Sequence, residues 1–166
     1  MGQYEDWKTS NVPAESGKAV FTIRRAVFED LEGIARVERE SFTTPWTETS
    51  IGTELSLNIF ARYFVAELEG EIVGFGGMWV VVDEAHITNI AVLEKHRRQG
   101  IGRAILHTLL STAKEERCRA ATLEVRVGNI QARRLYESFG FAPVGIRPKY
   151  YSDTNEDALI MWCVLE

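Results

Sequence analysis

Cysteine and histidine are scarce in this chain, with two cysteines and three histidines in 166 residues. Cys118 and Cys163 have no partner at metal-ligand or redox spacing, which excludes a disulfide framework and leaves two plain reduced thiols. His86, His96 and His107 are unclustered, so no metal centre is expected. Long apolar runs are missing as well. None approaches the roughly 18 residues of a membrane helix. Residues 1–20 lack the basic start and apolar centre of a secretory signal and carry Glu5, Asp6 and Glu15 instead. Asp6 also occupies the Ser/Thr position that a myristoylation signal after Met1-Gly2 requires. These absences predict a cytoplasmic protein with no membrane partner. An excess of positive charge is lacking too, because the formal net charge is −5. That argues against direct binding of nucleic acid through its phosphates.

What remains is an ordinary globular composition, 45% hydrophobic and 26% charged. A chain of this length fits one domain and buries roughly 70% of the surface its unfolded form exposes. Against the acidic background, Lys95, His96, Arg97, Arg98 and Arg103 form a local basic cluster. By itself such a cluster reads as a solvated loop. Its position changes the reading. Ile101, Ile105, Leu109 and Ala113 recur every four residues, so a helix starts at about Gly100, and residues 87–92 upstream read as a strand. Free N–H groups and the positive end of the dipole at a helix start bind anions, and Gly100 and Gly102 admit a phosphate close to the backbone. The expectation is a strand, loop and helix that hold a pyrophosphate.

Residues 1–19 lack hydrophobic periodicity and hold Pro13 and Gly17, which predicts a flexible N-terminal leader ahead of one domain over residues 20–166. Residues 20–24 read as a short strand and 30–40 as a partly amphipathic helix. Pro45 stops simple continuation, and Thr47, Glu48 and Ser50 look like the start of a second helix. Residues 62–68 and 71–82 form a hairpin about Glu69-Gly70. Gly74, Gly76 and Gly77 within it mark a bulge or close packing more often than a phosphate loop. After a turn at Asp83-Glu84 and the strand ending at Val92 come a helix over 101–117, a strand over 121–125 and a helix over 132–139 closed by a left-handed Gly140. Strands over 141–146 and 158–165, joined by a polar loop, complete a mixed α/β or α+β domain with helices on its sheet faces.

Two common glycine-loop patterns fail. The third glycine of a dinucleotide fingerprint is Ile105 here, and no Gly-Lys-Ser/Thr is present for a P-loop. Arg97, Gly100 and Gly102, entering a helix from the end of an antiparallel strand, resemble the acetyl-CoA pyrophosphate loop of the GCN5-related N-acetyltransferases (GNAT). Asn89-Ile90-Ala91-Val92 is similar to that family's preceding strand, and Asn129, Ala132, Leu135-Tyr136 and Gly140-Phe141 are similar to its later signature. The resemblance spans residues 20–166. Within the family it is to the ribosomal-protein-alanine N-acetyltransferases of the RimI type. It is carried by Pro45-Trp46-Thr47, Asp83-Glu84-Ala85, Leu123-Glu124-Val125-Arg126, Leu135-Tyr136-Glu137-Ser138, Tyr150-Tyr151 and Glu156-Asp157-Ala158. The leader and Arg97, where some members have Gln, depart from the pattern.

The resemblance implies a GNAT fold, a mixed and mostly antiparallel central sheet flanked by helices, with acetyl-CoA as cofactor and the N-terminal alanine of a small-subunit ribosomal protein as acceptor. It makes Glu124 the general base, through water, and Tyr136 the general acid; otherwise these read as an exposed strand carboxylate and a core aromatic. Ile90, Ala91 or Val92 would offer an N–H to the oxyanion. Arg98, Gln99, Gly100, Ile101, Gly102 and Arg103 would hold the pyrophosphate, and Asn129 would contact an arm of the cofactor. Phe42, Pro45, Trp46, Tyr150 and Tyr151 are candidate walls for the acceptor peptide, with Trp46 equally readable as core. Asp153, Glu156 and Asp157 are either an attractor for a basic substrate tail or an ordinary acidic loop. A monomer or weak oligomer is expected.

Acetylation of a lysine or a small amine on the same fold is the competing enzyme reading. A non-catalytic acyl-CoA-binding regulatory module is the competing class. Retention of both Glu124 and Tyr136 speaks against the latter.

Overall fold

The computed structural model describes residues 10–11 and 20–166. The leader expected over residues 1–19 therefore lies outside the described residues, except for β1 (Ser10–Asn11), which pairs antiparallel with β2 (Thr22–Arg25). The chain continues through α1 (Leu31–Ser41), α2 (Glu48–Ser56), β3 (Ala61–Leu68), β4 (Glu71–Val81), β5 (Glu84–Val92), α3 (Ile101–Glu115), β6 (Ala120–Arg126), α4 (Ile130–Ser138), β7 (Ala142–Tyr151) and β8 (Glu156–Val164). The strands form one sheet in the order β1-β2-β3-β4-β5-β6-β8-β7. The β5–β6 pair is parallel, and the other described pairs are antiparallel.

Helices cover both faces of the sheet, and a bulge in β4 changes which of its positions meets which helix. Its register against β3 shifts at Val73, between Ile72 and Gly74. Such a bulge sends residues before and after it to opposite faces. Gly33 of α1 packs on Ile72, whereas a side chain at Gly76 would collide with Ile105 of α3, and one at Gly74 would stand 3.0 Å from the Ala91 carbonyl oxygen. Close packing, not a phosphate loop, thus explains these glycines. Ile101, Ile105, Leu106 and Leu109 of α3 are buried against the sheet, as their spacing predicts.

Thr47 caps α2 by accepting the Ser50 N–H at 3.1 Å, and Gly140 closes α4 at φ 90°. Cys118 and Cys163 are buried free thiols. Among the described residues no helix is long and apolar enough to cross a membrane.

The largest departure from the expected elements is β7. It runs on to Tyr151, so Tyr150 and Tyr151 end a strand where a loop over 147–157 was expected. The β7–β8 register shifts between Arg147 and Tyr151, with Lys149 at φ 52°. An edge strand tolerates Pro148, and the bulge absorbs the break in alternation.

The feature that places the site is the parting of β5 and β6. They pair only at Glu84–Ala120, Ala85–Ala121 and His86–Thr122. Beyond that, β6 stays with β8 through Arg126, and β5 stays with β4 with an extra residue, Thr88, opposite the Gly77–Met78 step. The side of β5 toward β6 is left without strand partners over residues 87–92.

Candidate active site

The parting strands open a cavity of about 360 Å3. Ile87, Thr88, Asn89 and Ile90 of β5 form one side, and Leu123, Glu124, Val125 and Arg126 of β6 the other. Phe42, Thr44 and Trp46 come from the α1–α2 connection, Tyr150 and Tyr151 from the end of β7, and Ala132 and Tyr136 from α4. The cavity therefore unites Glu124 and Tyr136 with four of the five expected peptide walls. Trp46 packs against the core and also lines the cavity. Pro45 is exposed and does not line it.

Strand alternation places Glu124 on the face opposite buried Leu123 and Val125. Its Oε2 is 2.7 Å from His86 Nε2, and Arg147 Nε stands 3.4 Å from Oε1. The hydrogen bond with His86 is the chief reason that the Glu124 carboxyl lies below its ordinary pKa; burial opposes it, and the His86 and Arg147 charges assist it. His86 also packs edge-on to Trp79, whose indole N–H donates to Glu54 of α2 at 2.7 Å. The carboxylate is thus held ionised on the face toward the α1–α2 side.

Tyr136 packs edge-to-face on Phe141. Burial, helped by nearby Tyr151, pushes its phenol up to about 12. Tyr151 carries the Arg126 guanidinium 4.0 Å above its ring, and Arg126 also pairs with Asp153 at 2.9 Å. Asp153 in turn accepts from the Thr43 hydroxyl at 2.5 Å, tying the α1–α2 connection to the β7–β8 turn across the cavity. Glu156 accepts the Gly128 N–H, and Asp157 the Lys149 N–H. The expected acidic attractor is therefore occupied largely by internal bonds.

The start of α3 fits a pyrophosphate. Gly100 is left-handed at φ 84°, and no side chain caps the helix. A Cβ at Gly100 would meet nothing within 4 Å, and one at Gly102 nothing nearer than 3.9 Å, so the backbone is open to a ligand. Arg97 Nε fastens the loop to the Val92 carbonyl at 2.9 Å. Arg98, Gln99, Ile101 and Arg103 share this loop and helix start, outside the cavity lining, as are buried Ala91 and Val92. Arg103 is spent partly on α4, donating to Ser138 Oγ at 2.9 Å and lying over the Phe139 ring. Asn129 lines the cavity while its Oδ1 caps α4 through the Ala132 N–H at 3.2 Å.

His86, Glu38 and Arg126 stand beside or line the cavity with no site role expected of them above. Glu38 was legible, since it shares a helix face with buried Ile34, Ala35 and Val37. His86 was not, because its partner lies across a non-local parallel pairing.

The profile of the acetyltransferase (GNAT) family matches residues 31–141. The chain belongs to that family. Enzymes of the family use acetyl-CoA, and this chain is an N-acetyltransferase. A Bacillus subtilis protein provisionally named ribosomal protein bS18-alanine N-acetyltransferase is 42% identical over 148 residues, covering 89% of this acetyltransferase and 98% of the relative. The ribosomal protein bS18-alanine N-acetyltransferase of Escherichia coli K12 is 37% identical over 144 residues, covering 84% and 95%. The crystal structure of the ribosomal-protein-S18-alanine N-acetyltransferase from Escherichia coli superposes with a TM-score of 0.82 at 34% identity, covering 88% of this acetyltransferase and 94% of that chain.

Proposed function

We propose that this acetyltransferase modifies the N-terminal alanine of a small-subunit ribosomal protein, with acetyl-CoA as donor, in the cytoplasm. The catalytic unit in this reading is residues 20–166, preceded by the leader. The observation that carries it is the single cavity in which Glu124 and Tyr136 lie between aromatic walls at the β5–β6 divergence. The relatives named for alanine N-acetylation of a ribosomal protein support the choice of acceptor.

Acetyl-CoA supplies the acetyl group as an activated thioester. The free edge of β5 over residues 87–92 is suited to its pantetheine arm, with an N–H of Ile90 or Val92 for the developing oxyanion. The Ala91 N–H, expected as a third choice, points instead into the ladder with β4, because hydrogen-bonded pairs alternate from Leu93–Val73. The open N–H groups from Arg98 to Arg103 are suited to its pyrophosphate, and Asn129 is suited to contact an arm of the donor. Glu124, ionised through His86 and Arg147, removes the amine proton through water as nitrogen bonds to the acetyl carbon. An α-amine near pKa ~8 gives up that proton about 3 kcal/mol more cheaply than a lysine near ~10.4.

Tyr136 faces the leaving sulfur in this reading. With its phenol at about 12, full proton transfer to a thiolate of pKa ~8.5 is uphill by about 5 kcal/mol. Tyr136 therefore acts by donating a hydrogen bond as the carbon–sulfur bond breaks, and solvent completes protonation.

The test is to incubate the chain with acetyl-CoA and a basic peptide that starts with alanine, beside an N-blocked lysine-containing counterpart, and to locate the product by mass spectrometry. Acetyl on the alanine nitrogen is expected. Modification of the lysine alone would overturn the acceptor, and absence of thiol release with either peptide would indicate a non-catalytic module.

A further inference from the structure

Glu38 is 2% exposed, among the most buried charged residues described. Its Oε1 accepts the Trp46 N–H at 3.0 Å, which anchors the α1–α2 connection. Its Oε2 is buried with no hydrogen-bond partner. Asn89 Oδ1 is in the same condition, whereas Thr88 Oγ1, at the extra residue of β5, is within reach of the Tyr63 hydroxyl. Glu38, Thr88 and Asn89 all line the cavity. The cation lining it, Arg126, is committed to Asp153, Thr154 and Glu156. A buried polar atom without a partner costs about 1–3 kcal/mol. Two of them on one cavity, Glu38 Oε2 and Asn89 Oδ1, mark a place for a ligand rich in N–H donors.

We propose that Glu38 is a substrate-positioning residue: its free Oε2, with Asn89 Oδ1, accepts hydrogens from the ammonium of the acceptor chain and holds that nitrogen in the cavity that Glu124 also lines. The inference rests on the acceptor reading above. It explains why the carboxyl on the buried stripe of α1 has a second oxygen beyond the one that the Trp46 N–H requires. Burial raises the Glu38 pKa, and the Trp46 N–H and the Asn89 side chain offset part of the rise. An arriving ammonium favours the ionised form.

Glu38→Gln separates binding from structure. The amide oxygen still accepts the Trp46 N–H, while the free position becomes an N–H2 facing donors. The peptide KM should rise about tenfold or more, the loss of a charge-assisted hydrogen bond. The affinity for acetyl-CoA and Tm should not change, whereas Glu38→Ala, which also frees the Trp46 N–H, should lower Tm. A Gln variant with peptide KM within about twofold of wild type, or one with Tm as low as the Ala variant, would overturn the proposal. Wild-type turnover of the alanine peptide is the separate test of the acceptor. If the wild type acetylates only the lysine peptide, the alanine reading falls and Glu38 is judged by the same KM ratio on that peptide. If it acetylates neither, both fall.

Discussion

His86 Nε2 lies 2.7 Å from Glu124 Oε2, at the last register pair before β5 and β6 part. The bond closes the apex of the cleft and lowers the pKa of the carboxyl assigned to take the amine proton. Because the ionised form is the base, His86→Ala should raise the Glu124 pKa and move the acid limb of kcat/KM to higher pH. The sign for stability follows from the same shift. A carboxyl depressed in the fold stabilises above its unfolded pKa, and that contribution is lost as pH falls through the folded value. The variant should therefore lose less stability than wild type on acidification. A pH–rate profile and acid-unfolding curves check both; coincident profiles would remove His86 from the account.

Glu124→Gln should lower kcat by about 10²–10⁴-fold while acetyl-CoA binding persists. Side-chain shape is kept, so calorimetry with the donor controls for folding. A rate equal to wild type would show that this carboxyl is not the base.

Tyr136→Phe keeps the edge-to-face contact with Phe141 and removes only the hydroxyl. A hydrogen bond to the leaving sulfur, as opposed to obligatory proton transfer, predicts a loss in kcat of about 10- to 100-fold. It also predicts no loss of a basic limb from the pH profile. Abolished turnover together with a vanished basic limb would assign Tyr136 as a full acid.

Gly102→Val tests the α3 start. A Cβ there meets Leu135 and Val92 only at 3.9 Å, so the protein itself accommodates that first carbon, and Gly102→Ala is the milder companion variant. The cost falls on a ligand approaching the backbone. Acetyl-CoA affinity should drop about tenfold or more, with circular dichroism unchanged. Equal affinity by calorimetry would refute the loop assignment.

Much of this was legible before the structure because local periodicity carries it. The four-residue apolar spacing of α3, the Glu69-Gly70 hairpin and the Thr47 and Gly140 caps all depend on neighbours in sequence. Glu124 and Tyr136 were reached through resemblance, and the cavity that brings them together arises from a parallel pairing that ends after three residues. Nothing in the residues 84–92 announces that ending. For the same reason His86 carried no signal, and Tyr150 and Tyr151 were placed in a loop, since Pro148 and left-handed Lys149 hide the strand that continues through them. Asp153 read as a free surface charge; its partners, Thr43 and Arg126, lie far away in the chain.

The central claim is that this chain acetylates the N-terminal alanine of a small-subunit ribosomal protein. Mass spectrometry of protein N-termini from matched cells with and without the chain tests it most directly. The account predicts that one small-subunit ribosomal protein loses acetylation at an N-terminal alanine when the chain is absent, and regains it with wild type but not with Glu124→Gln. Unchanged acetylation of every ribosomal N-terminus, with loss instead at lysine side chains or small amines, would contradict it.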